Sequence, residues 1–224
     1  MLSVQWSVAA GPDAWSSADA GAPLLALRTE TALGVPVNAC RLTLHGAAEV
    51  AAAAGDPLSV TLGDADAAQT VFTGTVSRVA HALGRVEIAG AGAFRALASA
   101  RLNLLFEQSA AGSIATDVLG KLEVQAGTVE SGITLPVFAL HAGATVWTQL
   151  DELARRCGFD LWADVQDRAH FRACEGGAEH ALAYGVDLLS WEHDATGPAA
   201  DGVLVLGESP AGQGQSDDAT SWLT

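Results

Sequence analysis

Three side chains in the second half of the chain are of types that bind zinc. Cys157, His170 and Cys174 follow one another closely, and His180 lies just beyond them. Zinc sites usually take two ligands from one local element, as in C-x-x-C or H-E-x-x-H, and neither spacing occurs here. Cys157 also falls on the apolar stripe of a predicted helix. The pattern therefore favours a buried thiol and ordinary surface histidines over a metal site.

Two carboxylate-rich stretches raise the question of calcium. They are Gly63-Asp64-Ala65-Asp66 and Asp217-Asp218. Neither continues into the D-x-D-x-D-G loop with a distal glutamate that wraps a calcium ion. A turn and a solvated tail explain these residues better.

The sequence also lacks the patterns of covalent, acid–base and phosphate chemistry. There is no G-x-S-x-G, and Cys40 and Cys157 lie outside any recognisable catalytic context. Asp151 and Glu152 are adjacent on a predicted helix and point in different directions, so they do not form an acid/base pair. Gly90-Ala91-Gly92 has neither a third glycine at the required place nor a following Lys-Ser/Thr. We therefore predict no catalytic, cofactor-binding or metal-binding residues, and no enzyme.

The composition is that of a folded chain with a substantial core. The 224 residues are 50% hydrophobic and 17% charged, which suits one large domain or two small ones. No apolar run approaches the ~20 residues that span a bilayer. The first residues predict a strand rather than a secretory signal. The three cysteines are an odd set, which favours free thiols in a reducing cytoplasm over a disulfide.

The charge is strongly negative, with a formal net value of −15. Residues 173–224 contain nine acidic residues and no Lys or Arg. Binding to a phosphate backbone or an anionic lipid surface needs clustered cations, so neither partner is predicted. The acidity then serves solubility, or it marks a surface that meets a basic partner or lines a conduit.

Residues 1–95 predict a small closed or nearly closed β-barrel, because short alternating strands recur with turn residues between them. In the longest strand Phe72, Gly74, Val76 and Arg78 share one face. Gly74, Gly90 and Gly92 are interpreted as bends. The predicted strands are Ser3 to Ala9, Pro23 to Leu33, Ala39 to His45, Leu58 to Leu62, Val71 to Val79 and Val86 to Gly90.

A helix–helix–hairpin region follows. Ser113 is predicted to cap a helix over 113–122, and Thr145 a helix over 145–157 that ends at Gly158 in a left-handed conformation. Residues 125–144 have turn chemistry and a short strand near 135–140. A hairpin then joins strands at 159–163 and 169–173 through a turn at 166–168. Trp147 is assigned to the core, and Trp162 is left open between an outward interface anchor and chance exposure.

The remaining chain is predicted to return to β structure at Ala181 to Trp191 and Gly202 to Leu206, before a mobile tail over 207–224. The predicted fold class is β-rich α+β. It has a first barrel-like domain over 1–97 and an inserted α/β region over 98–178. Residues 179–224 supply the return strands of a second, smaller or incomplete barrel and an acidic tail.

Several motifs occur together in a fixed order. Gly55-Asp56-Pro57-Leu58 opens one strand, Phe72-Thr73-Gly74-Thr75-Val76 reads F-x-G-x-V, and Arg85 to Gly90 is the next strand. One helix begins near Ser113-Ile114, and the next ends in Leu153-Ala154-Arg155-Arg156-Cys157-Gly158. Over most of its length the chain thus resembles the tail-hub family of contractile phages and injection machines. That family includes the phage late-control D proteins and the hub portion of VgrG spike proteins.

The resemblance implies a non-enzymatic baseplate hub without a cofactor. Such a protein forms a homotrimer whose two barrel-like domains per chain make a pseudo-sixfold ring. The ring joins the hexameric tail tube protein to the trimeric central spike protein and contacts other baseplate proteins. Its location would be a virion tail baseplate or a cytoplasmically assembled injection particle. Larger relatives continue into an OB-fold and a β-helical spike, which this sequence does not encode.

Two rival functions remain at this stage. One is a cytoplasmic small-ligand-binding or hydrolytic β-barrel domain, which a monomer with a deep polar pocket would favour. The other is a tail-associated wall hydrolase, for which the sequence offers no catalytic pair. A ring-shaped trimer with an open axial channel would favour the hub.

Overall fold

Among the residues that the structure describes, 44% lie in strands and 15% in helices, so the fold is a β-rich α+β fold. The computed structural model describes residues 4–63, 67–174, 176, 181–186, 188 and 190–194. The chain divides into two compact units, residues 1–176 and 177–224. No helix in these described ranges is long and apolar enough to cross a membrane.

A seven-stranded antiparallel sheet comes first and curls into a half-barrel. Its spatial order is β2-β1-β5-β6-β7-β4-β3, so β2 and β3 are the two edges and the predicted barrel is an open one. The strands are β1 Gln5–Ala10, β2 Asp13–Ser16, β3 Leu24–Glu30, β4 Ala39–His45, β5 Pro57–Gly63, β6 Gln69–Ala82 and β7 Arg85–Ala91.

One face of this sheet builds the first core, in which Leu42, Val60, Phe72 and Ile88 are almost fully buried. The alternation predicted for β6 holds through Val76 and then fails. A register shift between residues 76 and 78 opposes Arg78 to Ala89 and Val79 to Ile88. Arg78 is therefore exposed on the outer face, because the extra residue of a bulge reverses the side-chain alternation beyond it.

Gly74 and Gly90 make room for an aromatic ring. A Cβ on Gly74 would lie 2.9 Å from Phe72 Cζ, and one on Gly90 would lie 3.2 Å from Phe72 Cε1 and press on Leu58. A Cβ on Gly74 would also lie 2.5 Å from the Ala91 carbonyl oxygen, and Gly90 pairs with Val76 at the bulge in β6, so close packing accompanies the bend predicted at Gly90.

A second core follows within the same unit, built from three helices and two small sheets. Strands β8 and β10 form an antiparallel two-stranded ribbon, and β11-β12-β9 form a three-stranded sheet in which β12 and β9 are parallel. The elements are α1 Phe94–Ser99, β8 Leu104–Ala110, α2 Ala111–Lys121, β9 Ala126–Val129, β10 Thr134–Leu140, α3 Val146–Arg156, β11 Asp160–Ala163 and β12 Ala169–Arg172.

Helix α3 confirms the local prediction at both ends. The Thr145 side chain accepts a hydrogen bond from the Thr148 amide at 3.3 Å, as an N-cap does. Leu150 and Leu153 are fully buried on the apolar stripe. Gly158 has φ +69°, the left-handed conformation that a glycine adopts freely after a helix.

Helix α2 begins two residues earlier than predicted, and Ser113 is not its cap. The amides of Ala111 and Gly112 donate to the carbonyls of Ile133 at 2.9 Å and Ser131 at 2.8 Å. A neighbouring backbone segment therefore satisfies the first free amides, and a capping side chain is not needed. Elements β2, α1, β8 and β9 were also not predicted.

The second unit gives little support to the predicted return strands. Among its described residues, the β pairing is a single isolated bridge between Tyr184 and Leu188, so no continuous strand runs from Ala181 to Trp191 there. Gly202 to Leu206 and the predicted mobile tail lie outside the described residues. The domain limits at 97 and 178 stay predictions.

Candidate assembly surfaces

The side chains considered for zinc lie in separate settings. Cys157 is half-buried at the end of α3, where its Sγ would be 2.8 Å from a Cβ on Gly132. His170 sits in β12, and Cys174 is exposed beyond that strand. No three His, Cys, Asp or Glu side chains within the described ranges form a metal-binding group. His180, Asp64, Asp66, Asp217 and Asp218 lie outside those ranges.

The three described cysteines are free thiols. Cys40 is buried in the first core, and burial raises the pKa of its thiol to about 12. A thiol with so high a pKa is protonated at neutral pH and is a poor nucleophile. Cys40 therefore behaves as a small apolar core residue.

The tight turn between β11 and β12 is held by the carboxylate of Asp164. Arg168 donates to it from Nε at 2.9 Å and from its own amide at 2.9 Å, and the Gln166 amide donates at 3.0 Å. Burial alone would raise the pKa of Asp164, but the hydrogen bonds from His170 and Arg168 outweigh it and lower the pKa to about 2. This carboxylate closes a hairpin and is already saturated with donors.

His170 is fixed in one tautomer. Its Nδ1 accepts the Thr128 amide at 3.1 Å, so the ring proton lies on Nε2, 3.0 Å from Asp164 Oδ2. The imidazole thereby bridges β9 and the hairpin turn. Both ring nitrogens are used in the fold, which leaves neither for metal binding or proton transfer.

Trp162 lies on the face of the three-stranded sheet that points away from the second core. It is half-buried and stacks on His170 at 5.1 Å with 16° between the ring planes. The Arg172 guanidinium lies 5.6 Å from the indole centroid, within cation–π distance. The outward orientation considered for Trp162 is thus observed, and the ring already has two partners on its own sheet.

Trp147, assigned to the core from the sequence, is half-buried against the second core. Its Nε1 is buried and has no hydrogen-bond partner among the described residues.

A polar junction fastens the seven-stranded sheet to the β11–β12 hairpin. The Ala93 amide donates to both oxygens of Asp167 at 2.8 Å, and Asn38 Nδ2 donates to the Ala163 carbonyl at 3.1 Å. A Cβ on Gly92 would lie 2.7 Å from Asp167 Oδ1, so a glycine is needed there. We call these five residues, Asn38, Gly92, Ala93, Ala163 and Asp167, the junction.

The junction carries an unusual carboxyl group. Burial raises the pKa of Asp167 to about 6, and the nearby negative charge of Asp164 also raises it. The hydrogen bond from the Ala93 amide lowers the pKa, but by less. Asp167 also has φ +65°, a left-handed conformation that aspartate tolerates better than most residues. From sequence, Asp167 was only a turn residue and Asn38 was not singled out, because their partners lie 74 and 125 residues away.

The ribbon of β8 and β10 leaves an apolar face uncovered. Leu105 is 63% exposed and Val137 51% exposed, and Ile133 beside them is 42% exposed. Within the described residues neither strand of the ribbon pairs with a third strand. The ribbon therefore offers both apolar side chains and free strand edges to a neighbour.

These features belong to a fold shared with phage tail proteins. No family model and no curated protein matches the sequence. The structure is similar to the 43 kDa tail protein of prophage MuSo2 from Shewanella oneidensis, with a TM-score of 0.60, 16% identity, and coverage of 78% of this chain and 57% of that one. It is also similar to a tail protein from Neisseria meningitidis MC58, with a TM-score of 0.57, 13% identity, and coverage of 75% and 51%.

The chain thus spans little more than half the length of these two structures. At such low identity the likeness establishes the fold. The expected likeness to tail proteins is confirmed as a shared fold, and the assignment to the hub stays a prediction.

Proposed function

We propose that this chain is a structural hub protein in the baseplate of a contractile phage tail or a related injection system. Three copies form a pseudo-sixfold ring that connects the hexameric tail tube to the trimeric central spike. The observation that carries the proposal is the fold shared with two phage tail proteins over three-quarters of this chain.

The surfaces of the first unit suit a subunit that works by assembly. Within the described part of the chain, the half-barrel has two unpaired edge strands, β2 and β3, and the ribbon adds an uncovered apolar face. Single copies would leave these edges open to non-specific pairing, whereas cyclic closure covers them with defined neighbours. Residues 173–224, with nine acidic residues and no cation, would help to line the axial channel.

The rival function, a small-ligand or hydrolytic barrel, needs titratable groups that converge on a pocket. The two carboxyl groups with strongly displaced pKa values, Asp164 and Asp167, instead bind the amides and side chains of their own fold. Their displaced pKa values therefore have structural causes, and we favour assembly over catalysis.

Electron microscopy of the purified full chain, alone and co-expressed with its neighbouring gene products, tests the proposal. We expect ring-shaped particles with threefold symmetry and an open axial channel. Single compact particles in every preparation would overturn it.

A further inference from the structure

Three arginines form a straight row across the outer face of the seven-stranded sheet. Arg28 on β3 lies opposite Arg41 on β4, Arg41 lies opposite Ala89 on β7, and Ala89 lies opposite Arg78 on β6. Residues opposite one another point to the same face, so all three guanidinium groups leave the sheet on the side away from the first core. The row crosses three strand spacings, or about 14 Å. We call Arg28, Arg41 and Arg78 the arginine row.

The guanidinium groups of the arginine row have few hydrogen-bond or ion-pair partners within a single chain. Within the described residues, the side chains of Arg41 and Arg78 make no hydrogen bond or ion pair. Arg28 reaches Glu30 at 3.5 Å, but both side chains are largely exposed, and pairs of that kind contribute little. Like charges directly opposite on neighbouring strands, as in Arg28 and Arg41, disfavour the sheet. An isolated subunit therefore carries an electrostatic cost that an acidic partner would remove.

The surface around Arg41 is shaped to receive side chains. Two hollows of about 330 and 120 Å³ adjoin Arg41, and both include Ala89. Glu30 lines the first and Glu87 the second, so each hollow has one carboxylate beside two guanidinium groups. The small side chain of Ala89, which lines both hollows, leaves space between the guanidinium groups. A carboxylate entering a hollow could accept paired N–H bonds from one guanidinium.

Charge complementarity favours a second copy of this chain as the partner. Four of the 11 cationic residues lie on this face, since Arg85 shares it and pairs with Glu87 at 3.0 Å. The whole chain has a net charge of −15, so the surface that another copy presents elsewhere is predominantly acidic. A nucleic acid would meet only a short cationic row on a strongly negative protein, and tight phosphate binding needs more contacts than this.

We propose that the arginine row is the cationic side of a heterologous contact between neighbouring copies, with carboxylates of the next subunit entering the hollows beside Arg41. A contact between two different surfaces closes into a ring when the rotation permits. The inference rests on the proposed function and names one of the surfaces that would close the ring.

The test compares two double variants of the full chain with the same change in charge. Arg41→Gln/Arg78→Gln removes the two unpaired members of the row. Arg95→Gln/Arg156→Gln removes two exposed arginines outside it, whose side chains also lack a hydrogen bond or ion pair in the described structure. Sedimentation velocity measures the association constant, and circular dichroism verifies the fold. We expect association to weaken at least tenfold in the row variant, to stay within twofold of wild type in the control, and to persist in Arg41→Lys/Arg78→Lys.

Salt gives a second readout, because the contact joins exposed charges. Raising sodium chloride from about 0.05 to about 0.5 M shortens the screening length severalfold and should dissociate the wild-type oligomer. If the wild type associates and the row variant associates equally well, the row is not the interface, and the ring proposal survives. A wild-type chain that is monomeric at low salt, alone and with its neighbouring gene products, overturns both.

Discussion

Replacing Asp167 should loosen the attachment of the hairpin to the sheet in a way that depends on pH. In Asp167→Ala the Ala93 amide loses a bond to a charged acceptor, which costs about 1.5–3 kcal/mol. An alanine at φ +65° adds about 1–2 kcal/mol of backbone cost. Together these losses come to about 2.5–5 kcal/mol before the relief of a buried charge at neutral pH is subtracted. Asp167→Asn keeps an acceptor and tolerates the left-handed backbone, so we expect a smaller loss than in Asp167→Ala, by an amount that changes with pH.

The pH dependence follows from the direction of the pKa shift. Asp167 has a pKa of about 6 in the folded chain, against 3.8 for an aspartate in the unfolded chain. Between these values the folded state holds the proton more tightly, so the contribution of Asp167 to stability falls as pH rises from about 4 to about 6. Asparagine does not titrate. The stability of wild type relative to Asp167→Asn should therefore decrease across this window.

Urea unfolding of both proteins at half-unit steps from pH 4 to 7 measures the effect. The comparison with Asp167→Asn cancels titrations common to both chains, and Asp164 titrates below the window. A stability difference that stays constant from pH 4 to 7 would refute the reasoning. If wild type instead gained stability relative to Asp167→Asn as pH rises, the pKa of Asp167 would be shifted in the opposite direction.

Four further substitutions test packing, the junction and the turn. Gly90→Ala should lower the free energy of unfolding by about 1–3 kcal/mol through overpacking. Gly120→Ala, in open space on α2, should raise the free energy of unfolding by about 1 kcal/mol. Thermal melts in which Gly90→Ala is the more stable variant would contradict the packing account. Asn38→Ala should cost about 1–3 kcal/mol in chemical denaturation, since it leaves a buried carbonyl unpaired, and an unchanged midpoint would contradict this role. Asp164→Asn should lower the free energy of unfolding at pH 7. Its loss relative to wild type should shrink as pH falls from about 4 towards 2, because the pKa of Asp164 in the folded chain is about 2. An acid-unfolding curve parallel to that of wild type would contradict this prediction.

Local sequence signals predicted the parts of the fold that depend on near neighbours. Helix α3 carries its own cap at Thr145, its own apolar stripe and its own glycine stop, so both of its ends were predicted correctly. Helix α2 lacks a side-chain cap, and its first amides are satisfied by a segment some twenty residues later. Its start could not be found from local residue types.

The candidate surfaces were harder to predict, because they depend on strand register. Arg28, Arg41 and Arg78 are far apart in sequence, and the bulge after Val76 decides which face Arg78 takes. Simple alternation placed Arg78 with Phe72, on the core side. The junction has the same origin, since Asp167 and Asn38 acquire their roles only when two distant elements meet.

The central claim is that copies of this chain close around an axis, and native mass spectrometry of the assembled particle tests it most directly. The protein is co-expressed with its neighbouring gene products and purified at low salt. Each particle should then contain three copies of the 22.8 kDa chain. A stoichiometry of one copy, alone and in every complex recovered, would contradict the account.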